Sequence, residues 1–591
     1  MTKSIRGSWQ RFEQARAARE RVRLHSGNVI ADGETHSYRV WQRALSALVA
    51  ATLFVGPITV TVEQGRAAAG ALAAGERHLG DEAWRTIQDL ASLRIRFAMQ
   101  VAQAGAIVDP TAPLSFQPKI TQSTGAGGGV PVINITAPNA AGISLNQYQS
   151  FNVDPVGLIL NNSLQGGTTL IGGNVAANPN LNGRTAGVIV NQVTSTGSAF
   201  ASVLNGPLEV FGAAAAVIVA NPNGIAVRGA GFTNTIGVTL TTGAPQFLTA
   251  IGGSQTDFTN AQAVAYDVKG GHIQIEGNAG TNGPGAGIEG TVGTIDLIGE
   301  TTGINAPLYA GTRINVIAGD QVVTPSASDT TGTTYATKSN GSANTAAAIG
   351  NATQGYAIDA TNFGAMTAGQ ISVIGTAQGM GVRTDGALSS TAGDLTLSSN
   401  GDLTVGSHAA QQSVSITSAG NATLSGTGLG VGGYRLSAGG DVVSTGTLQS
   451  GADMSVAAGG NANLAALQAN GNASANAGAA SNANYSAGGS NPISGSAGGS
   501  ASSVTNNTAA TAAGPGGGLA IVTRTSGTTS GYSASSGAVN GFVNGTTTSA
   551  TAGSTGGSFG VTNIHLGNAG TFSNGGGTGG LAGSTATASA P

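Results

Sequence analysis

The stretches Gly393-Asp394-Leu395-Thr396-Leu397 and Gly401-Asp402-Leu403-Thr404-Val405 show the unit that decides the fold. Each has a Gly-Asp pair followed by a run in which apolar and polar residues alternate, so that one apolar set lies on a single face of a strand. The pairs that begin at residues 401, 420, 440 and 460 are spaced by 19, 20 and 20 residues, with half-period echoes at 393 and 471. A fixed period near 20 with strand alternation is typical of a solenoid.

This pattern predicts an all-β fold, a parallel β-helix in which each unit forms one coil. Successive coils stack at the ~4.8 Å spacing of paired strands. Glycine before Asp or Asn supplies a tight corner, and stacked Asn side chains form ladders along it. A β-sandwich or β-barrel also places strands at short, regular intervals. The sustained period and an aromatic content of only 4% favour the β-helix.

Two near-identical turns lie upstream, Asn178-Pro179-Asn180-Leu181 and Asn221-Pro222-Asn223-Gly224-Ile225, each beside an apolar, strand-like run. Proline fixes φ near about −65°, and asparagine tolerates the left-handed region while its side chain bonds the local backbone. Each block is therefore predicted to be a rigid turn with internally satisfied polar groups. One such turn is ordinary. Two in one domain indicate a fold in which the direction of the chain as it enters and leaves the neighbouring strands is important.

Composition excludes several kinds of site. Of 591 residues, 97 are glycine, none is cysteine and 8% are charged. The absence of cysteine rules out disulfides, thiolate zinc sites and cysteine nucleophiles. Residues 1–69 hold ten basic and five acidic side chains, which leaves 23 − 10 = 13 basic and 26 − 5 = 21 acidic in the rest, a net charge of −8. The chain beyond residue 69 therefore lacks the basic surface that nucleic-acid binding requires.

The N-terminus has the order of a secretory signal peptide. An Arg-rich region over 1–43 precedes an uncharged stretch from Ala44 to Val62 and small residues at Ala67-Ala68-Ala69. The alternative is a membrane anchor, since about 19 uncharged residues nearly span a bilayer. The internal Gly56-Pro57 and the Ala-rich site after it favour cleavage.

Further motifs accompany the two turns. They are residues 132–146, 160–163, 208–212, 231–235, 308–310 and 314–319. Together with the Asn-Pro-Asn blocks, these segments strongly resemble the N-terminal secretion domain of the filamentous haemagglutinin family, the exoproteins of two-partner secretion. The resemblance covers roughly residues 105–325. Some members carry a Cys pair just after the second turn, where this chain has Val227 and Ala230, so it resembles the branch without that disulfide.

The resemblance implies a right-handed parallel β-helix that the Sec translocon exports to the periplasm. A dedicated outer-membrane β-barrel transporter with periplasmic binding domains would then release it, secreted or on the cell surface of a Gram-negative bacterium. Within this scheme the two Asn-Pro-Asn blocks are structural turns that keep the domain competent for recognition by the transporter. They are not catalytic.

These observations divide the chain into six segments: signal peptide (1–69), leader or linker (70–104), secretion domain (105–325), Ser/Thr/Ala/Gly-rich connection (326–364), β-helix repeats (365–474) and Gly/Ser/Ala/Thr-rich low-complexity tail (475–591). The tail is predicted to be mostly disordered. Further loose coils are the alternative, because 518–522 and 559–564 keep strand character.

No catalytic, cofactor or metal site is predicted, and the chain is not expected to be an enzyme. Acidic residues lie mostly in corners, as with Asp394, Asp402 and Asp441, and the six His residues show no metal-ligand spacing. The leading hypothesis is a secreted adhesin, with a receptor or glycan on a host or neighbouring cell as a candidate partner. The alternatives are the carrier stalk of a contact-dependent growth-inhibition toxin lacking its effector end and, less favoured, a carbohydrate-active β-helix enzyme.

Overall fold

The computed structural model describes residues 105–477 apart from 278–284, 286, 291, 327–333, 350–354 and 472, and beyond 477 the backbone of separate strand segments as far as residue 587. The predicted signal peptide and leader lie outside the described residues. Helical structure in this part of the chain is confined to four single 3-10 turns, Leu114–Phe116, Pro179–Leu181, Ser198–Phe200 and Gly341–Ala343. None of the described helices is long and apolar enough to cross a membrane.

Strands stack in three parallel ladders, which we call the first, second and third faces of the coil. The predicted parallel β-helix is confirmed. The first face holds Ile143–Ser150, Val188–Val193, Ala215–Ala220, Thr235–Thr241, Thr294–Gly299, Arg313–Ala318, Gln370–Gly375, Leu395–Ser399, Ser413–Ser418, Gly433–Ala438, Met454–Ala458 and Ala473–Ala477.

The second face holds Ser202–Leu204, Ile225–Arg228, His272–Glu276, Thr301–Ile304, Tyr356–Ala360, Gly381–Thr384, Leu403–Val405 and Ala422–Leu424. The third face holds Pro131–Asn134, Leu158–Asn162, Leu208–Gly212, Ala230–Thr233, Ile288–Gly290, Leu308–Tyr309, Met366–Ala368, Leu388–Ser390, His408–Ala410 and Gly428–Gly430. The longer strands Val442–Ser450 and Ala462–Ala469 turn a corner and join both of these faces.

One continuous apolar core runs inside the coils from Ile133 to Ala477. In Leu395–Ser399 burial alternates residue by residue, as the sequence pattern predicts. Large side chains such as Tyr148 and Phe151 fill the first coils, whereas the last described coils are filled by small ones such as Ala473 and Ala475. The largest fully buried side chains therefore lie in the first coils.

The predicted corner ladder is present in the repeats. Asp402 Oδ1 accepts the Asn421 N–H at 2.8 Å, Asn421 Oδ1 accepts the Asp441 N–H at 2.8 Å, and Asp441 Oδ1 accepts the Asn461 N–H at 2.7 Å. Each side chain thus receives the backbone amide that lies one coil further along. The carboxamide and carboxylate oxygens thus connect successive corners.

Antiparallel strands cover parts of the β-helix. Ile107–Val108 pairs with the end of Ile143–Ser150, and Lys119–Gln122 pairs with Pro131–Asn134. A two-stranded hairpin, Gly167–Thr168 with Asn174–Val175, lies against the third face. A four-stranded antiparallel sheet packs on the outside of the first face and consists of Ala244–Leu248, Ala263–Val268, Gln321–Pro325 and Tyr335–Ser339. These additions to the coil all lie within residues 105–339.

Strand backbone continues beyond residue 477. The segments are Ser481–Ala487, Ile493–Ser496, Ser500–Thr505, Ala509–Ala513, Gly518–Leu519, Val522–Thr523, Thr528–Thr529, Gly531–Ala534, Val539–Ala552, Phe559–Asn574 and Ala586–Thr587. They pair in parallel with one another, beginning on Ala462–Ala469 and Ala473–Ala477. For the tail 475–591, predicted to be mostly disordered, these strands favour the alternative of further loose coils. Gly, Ser, Ala and Thr are small enough to stack in such coils.

Candidate functional site: the two asparagine-proline-asparagine turns

The first turn leads from the inserted hairpin into the first-face strand Val188–Val193. Asn178 is extended (φ −77°, ψ 113°) and its Oδ1 accepts the Asn180 N–H at 2.9 Å, which caps a single 3-10 turn over Pro179–Leu181. Asn182 ends the turn in the left-handed region at φ 50°, a conformation that asparagine tolerates well. Pro179 is exposed and Leu181 is buried in the core. The structure thus shows a self-capped turn over Asn178–Leu181.

The Asn178 amide also binds two other coils. Its Nδ2 donates to the Ile135 carbonyl at 3.0 Å and to the Asn161 carbonyl at 2.8 Å, and the side chain is buried. Asn180 Nδ2 donates to the Asn134 carbonyl at 3.1 Å. All hydrogen-bonding groups of the Asn178 amide are therefore engaged, so that it fixes the turn to backbone formed earlier in the chain.

The second turn joins the first-face strand Ala215–Ala220 to the second-face strand Ile225–Arg228. Asn221 is 0% exposed, and its Oδ1 accepts the Asn223 N–H at 3.0 Å. Its Nδ2 donates to the Phe200 carbonyl at 2.8 Å and to Ser202 Oγ at 2.9 Å. The internal cap of the first turn is thus repeated, and the buried amide again binds a preceding coil.

The end of the second turn shows why its last residues are Asn, Gly and Ile. Asn223 Nδ2 donates to the Ser195 carbonyl at 2.7 Å, and Asn223 Oδ1 accepts the Gly197 N–H at 2.7 Å. Gly224 has φ +111°, which a side chain disfavours, and its N–H bonds the Asn221 carbonyl at 3.1 Å. Ile225 then enters the core with no exposed surface. Pro222, like Pro179, points to solvent.

Further buried amides support the turns, and sequence reasoning did not single them out as site residues. Asn162 Oδ1 accepts the Ala186 N–H at 2.7 Å, while its Nδ2 donates to the Ala186 and Ala213 carbonyls, each at 2.8 Å. Asn161 Nδ2 donates to Asn134 Oδ1 at 2.7 Å. The signal for them is an asparagine pair inside the apolar run Leu158–Asn162, because an amide in a buried strand position requires partners.

The hairpin beside the first turn is held by a carboxylate. Glu209 is buried on the third face, and its Oε2 accepts the Leu170 N–H at 2.8 Å and the Ile171 N–H at 2.9 Å. Leu170 itself stays 78% exposed at the tip. Glu209 therefore binds the backbone of the hairpin.

Titratable groups with perturbed pKa values lie elsewhere. Burial raises the pKa of Asp296, which accepts hydrogen bonds from Tyr335 and Asn315 beneath the four-stranded sheet. Burial also lowers the pKa of His272 and of His408, which lie on different faces. In the described part of the chain no three His, Asp or Glu side chains come together as metal ligands. The two turns can therefore shape and stabilise the domain, but their chemistry is that of neutral amides and backbone.

Comparison with known proteins gives this arrangement a family. The family model described as TPS secretion domain matches residues 104–405, which is 302 of the 591 residues. The match extends beyond the roughly 105–325 over which the sequence motifs were recognised. It includes both Asn-Pro-Asn turns, the covering sheet and the first repeats.

Curated relatives include "Toxin CdiA" of Yersinia pestis, 37% identical over 302 residues, which are 51% of this chain and 8% of that protein. "Filamentous hemagglutinin" of Bordetella pertussis is 36% identical over 293 residues, 49% of this chain and 7% of that protein. The chain thus matches less than a tenth of the length of either relative.

Among solved structures, the filamentous hemagglutinin secretion domain is 30% identical, with a TM-score of 0.41, and the match covers 59% of this chain and 97% of that one. The match of the family model over just over half of the sequence shows that the chain belongs to the TPS secretion domain family.

Proposed function

We propose that this chain is an exoprotein that a dedicated two-partner transporter carries across the outer membrane, and that the two Asn-Pro-Asn turns close the first coils of its secretion domain. The proposal includes a Sec signal in residues 1–69, passage through the periplasm, and binding to periplasmic domains of the transporter. It places the product outside a Gram-negative cell. Membership of the TPS secretion domain family supports this route.

One observation supports the role of the turns. Apart from the caps inside each turn, every partner of their side-chain amides precedes the turn in the chain. The first turn binds Asn134, Ile135 and Asn161, and the second binds residues between 195 and 202. A chain that emerges with its N-terminus first therefore presents these partners before the turn itself. The side-chain amides of each turn can therefore bond a finished coil before the next one forms, whereas the Asn221 N–H donates to the Thr241 carbonyl of the following coil at 2.8 Å.

Co-expression with the cognate outer-membrane transporter tests this role. Asn178→Ala and Asn221→Ala each leave several buried polar groups without partners, so both variants are expected to reach the medium at a small fraction of the parent level. Asn400→Ala is the matched control, because the Asn400 amide donates to the Thr376 carbonyl at an exposed corner outside the motif. Secretion of both motif variants at the parent level would contradict the proposed role.

We propose adhesion as the activity of the exported protein, without an enzymatic reaction, cofactor or metal, and with a receptor or glycan on another cell as its partner. The likeness to "Filamentous hemagglutinin" supports this. Binding of the secreted protein to intact cells, with the same protein denatured as control, measures it directly. No nucleic-acid binding is proposed, since the net charge of −8 after residue 69 opposes it.

The second candidate function is a toxin carrier. It is favoured by the likeness to "Toxin CdiA" and to the "tRNA nuclease CdiA" of Yersinia mollaretii, which is 40% identical over 282 residues. The matched segment is 8% of each of those proteins, so the match does not by itself transfer their named activities to this chain. Reading the gene beyond the codon for Pro591 separates the candidates. A continuing frame that encodes a charged globular domain supports the carrier, and a stop codon supports the adhesin.

A further inference from the structure

A histidine and a tyrosine form a hydrogen-bonded pair inside the coils of the repeat region. His408, on the third face, is 3% exposed, and Tyr434, on the first face of the next coil, is also 3% exposed. His408 Nε2 lies 2.6 Å from the Tyr434 hydroxyl, and His408 Nδ1 lies 2.8 Å from the Gly406 carbonyl oxygen. Most other inward positions of these coils hold apolar residues.

The neighbouring coil is shaped to hold this pair. Gly428 occupies the position directly after His408 in the third-face ladder. A Cβ at Gly428 would lie 2.5 Å from His408 Nε2 and 2.9 Å from Tyr434 Cε2. The absence of a side chain at residue 428 is therefore what lets both rings lie inside the coil.

The hydrogen bonds define which proton the histidine carries. A carbonyl oxygen only accepts, so Nδ1 carries the hydrogen and donates it to Gly406. The neutral ring then uses Nε2 as an acceptor for the Tyr434 hydroxyl. A proton added at Nε2 would point at the hydroxyl oxygen and force the hydroxyl hydrogen to turn into apolar surroundings, where a buried charge and an unpaired donor both cost free energy.

None of the charged groups on the surrounding elements compensates a positive ring. Asp394 and Asp402 lie in corners and accept the backbone N–H groups of Ser413 and Asn421. Arg435 follows Tyr434 but is exposed on the outside of the coil. Asp385 lies in a turn near Arg383, 3.8 Å from its Nε. Among the described residues, no carboxylate is found to act on His408.

We propose that residues 388–438, which we call the His408 coils, form an acid-sensitive section of the β-helix that is closed at neutral pH and opens when His408 takes up a proton. The remaining described coils would stay closed under the same conditions. The proposal concerns the exported, folded protein and holds whether that protein is an adhesin or a toxin carrier.

The direction of the pH effect follows from burial. Desolvation lowers the pKa of His408 from its ordinary value, so the unfolded chain binds a proton more readily than the folded one. The neutral pair therefore contributes its full stability above about pH 6.5, the ordinary pKa of histidine, and loses it as the pH falls toward the lowered folded value. Within that window, each pH unit favours opening by about tenfold.

His272 offers an internal comparison. The His272 ring bonds Thr301 Oγ1 at 2.8 Å and Gln274 Oε1 at 3.0 Å. Burial lowers the pKa of His272, while the bond to Gln274 and the Asp359 carboxylate raise it. An amide oxygen and a nearby carboxylate both favour a protonated ring. Acid is therefore expected to disturb the coils around His272 less than the His408 coils.

Amide hydrogen exchange of the full secreted chain, followed by mass spectrometry at about pH 7.5 and about pH 5 and corrected for the chemical exchange rate, tests the proposal. Peptides from 388–438 are expected to open about tenfold more often at the lower pH, with little change in peptides from 143–225. His408→Gln, which removes the titrating ring, should abolish this increase, and His272→Gln should retain it.

Equal opening of the His408 coils at both pH values would overturn the proposal, as would an unchanged acid response in His408→Gln. If His408→Gln fails to fold, hydrogen–deuterium exchange at the imidazole carbon of His408 in the parent chain decides the question. A midpoint below the ordinary histidine value supports the proposal. A midpoint at or above that value contradicts it.

Discussion

The first coils and the repeats use the same small polar side chains in opposite ways. In the first coils the amides of Asn178 and Asn221 are buried and donate to groups of preceding coils. In the repeats the side chains of Asp402, Asn421 and Asp441 lie at corners, where they accept the backbone N–H of the following coil. A buried amide must find all of its partners in protein, whereas a corner oxygen can exchange its partner for water.

This difference follows from how regular the coils are in the two parts of the β-helix. The first coils carry an inserted hairpin and a covering sheet, so they differ in length. Each of them therefore needs its own side-chain hydrogen bonds. The repeats recur every 19 or 20 residues, and each uses the same Gly-Asp or Gly-Asn pair at its corner. We expect the first coils to be sensitive to the loss of single side chains and the repeats to be sensitive to anything that changes the close approach of backbones.

The largest effect is expected for Asn221→Ala, which breaks the buried fastening of the second turn. The change leaves the Phe200 carbonyl, Ser202 Oγ and the Asn223 N–H without their partner. At roughly 1–3 kcal/mol for each buried or part-buried group left unpaired, a loss of about 3–5 kcal/mol is expected. Urea unfolding followed by hydrogen exchange in 195–228 measures it. A loss under about 1 kcal/mol would show that solvent replaces these bonds.

Sequence reasoning reached the turns because their chemistry is local. Asn178 Oδ1 accepts the N–H of Asn180, and Asn221 Oδ1 accepts the N–H of Asn223, in each case two residues further along the chain. The Asn-Pro-Asn sequence predicts this local cap. The outer bonds of Asn178 reach 17 and 43 residues back along the chain. No local pattern specifies such partners, since they depend on how the intervening coils stack.

The same limit applies to the fold. The period and the Gly-Asp corners after residue 390 predicted the coils, because every repeat states the same rule. The covering sheet was not predicted, since strands such as Ala244–Leu248 and Ala263–Val268 have ordinary strand sequences whether they pair in parallel or antiparallel. Residues 326–364, read as a connection, contain Tyr335–Ser339 of that sheet and Tyr356–Ala360 of the second face. The domain boundaries themselves stay predictions.

A smaller loss is expected for Gly459→Ala, which tests the close approach of corners in the repeats. A Cβ on Gly459 would collide with the carbonyl oxygen of Gly439 in the preceding coil. Forcing these backbones apart should cost about 2 kcal/mol, as overpacking does elsewhere. Gly187→Ala is the control in the first coils, because nothing lies within 4 Å of its Cβ position. Thermal unfolding should show a loss for residue 459 alone, and equal losses would contradict the contrast.

Asp441→Ala should have a still smaller effect, because it removes one step of the exposed ladder. Asp441 Oδ1 accepts the Asn461 N–H at 2.7 Å and its Nδ2 at 3.2 Å. Water can satisfy these donors at an exposed corner, so a loss of about 1 kcal/mol is expected. Asp441→Asn keeps an acceptor, as Asn421 does one coil earlier, and should be near neutral. Urea midpoints of the two variants give the comparison, and a deficit as large as that of Asn221→Ala would remove the distinction between buried and corner bonds.

The smallest effect is expected at Thr302, and its sign is opposite. Thr302 lies between Ile273 and Ile358 in the second-face ladder, is 1% exposed, and its Oγ1 has no hydrogen-bond partner among the described residues. Thr302→Val keeps the branched shape and replaces an unpaired hydroxyl with a methyl group, so a gain of about 0.5–1 kcal/mol is expected. Thermal unfolding of the full chain measures it, with Thr301→Val as control, since the Thr301 hydroxyl bonds His272 at 2.8 Å and its loss should destabilise. A less stable Thr302→Val variant would mean that the buried hydroxyl is hydrogen-bonded. Buried polar groups in the core of the coils would then be paired as those of the turns are.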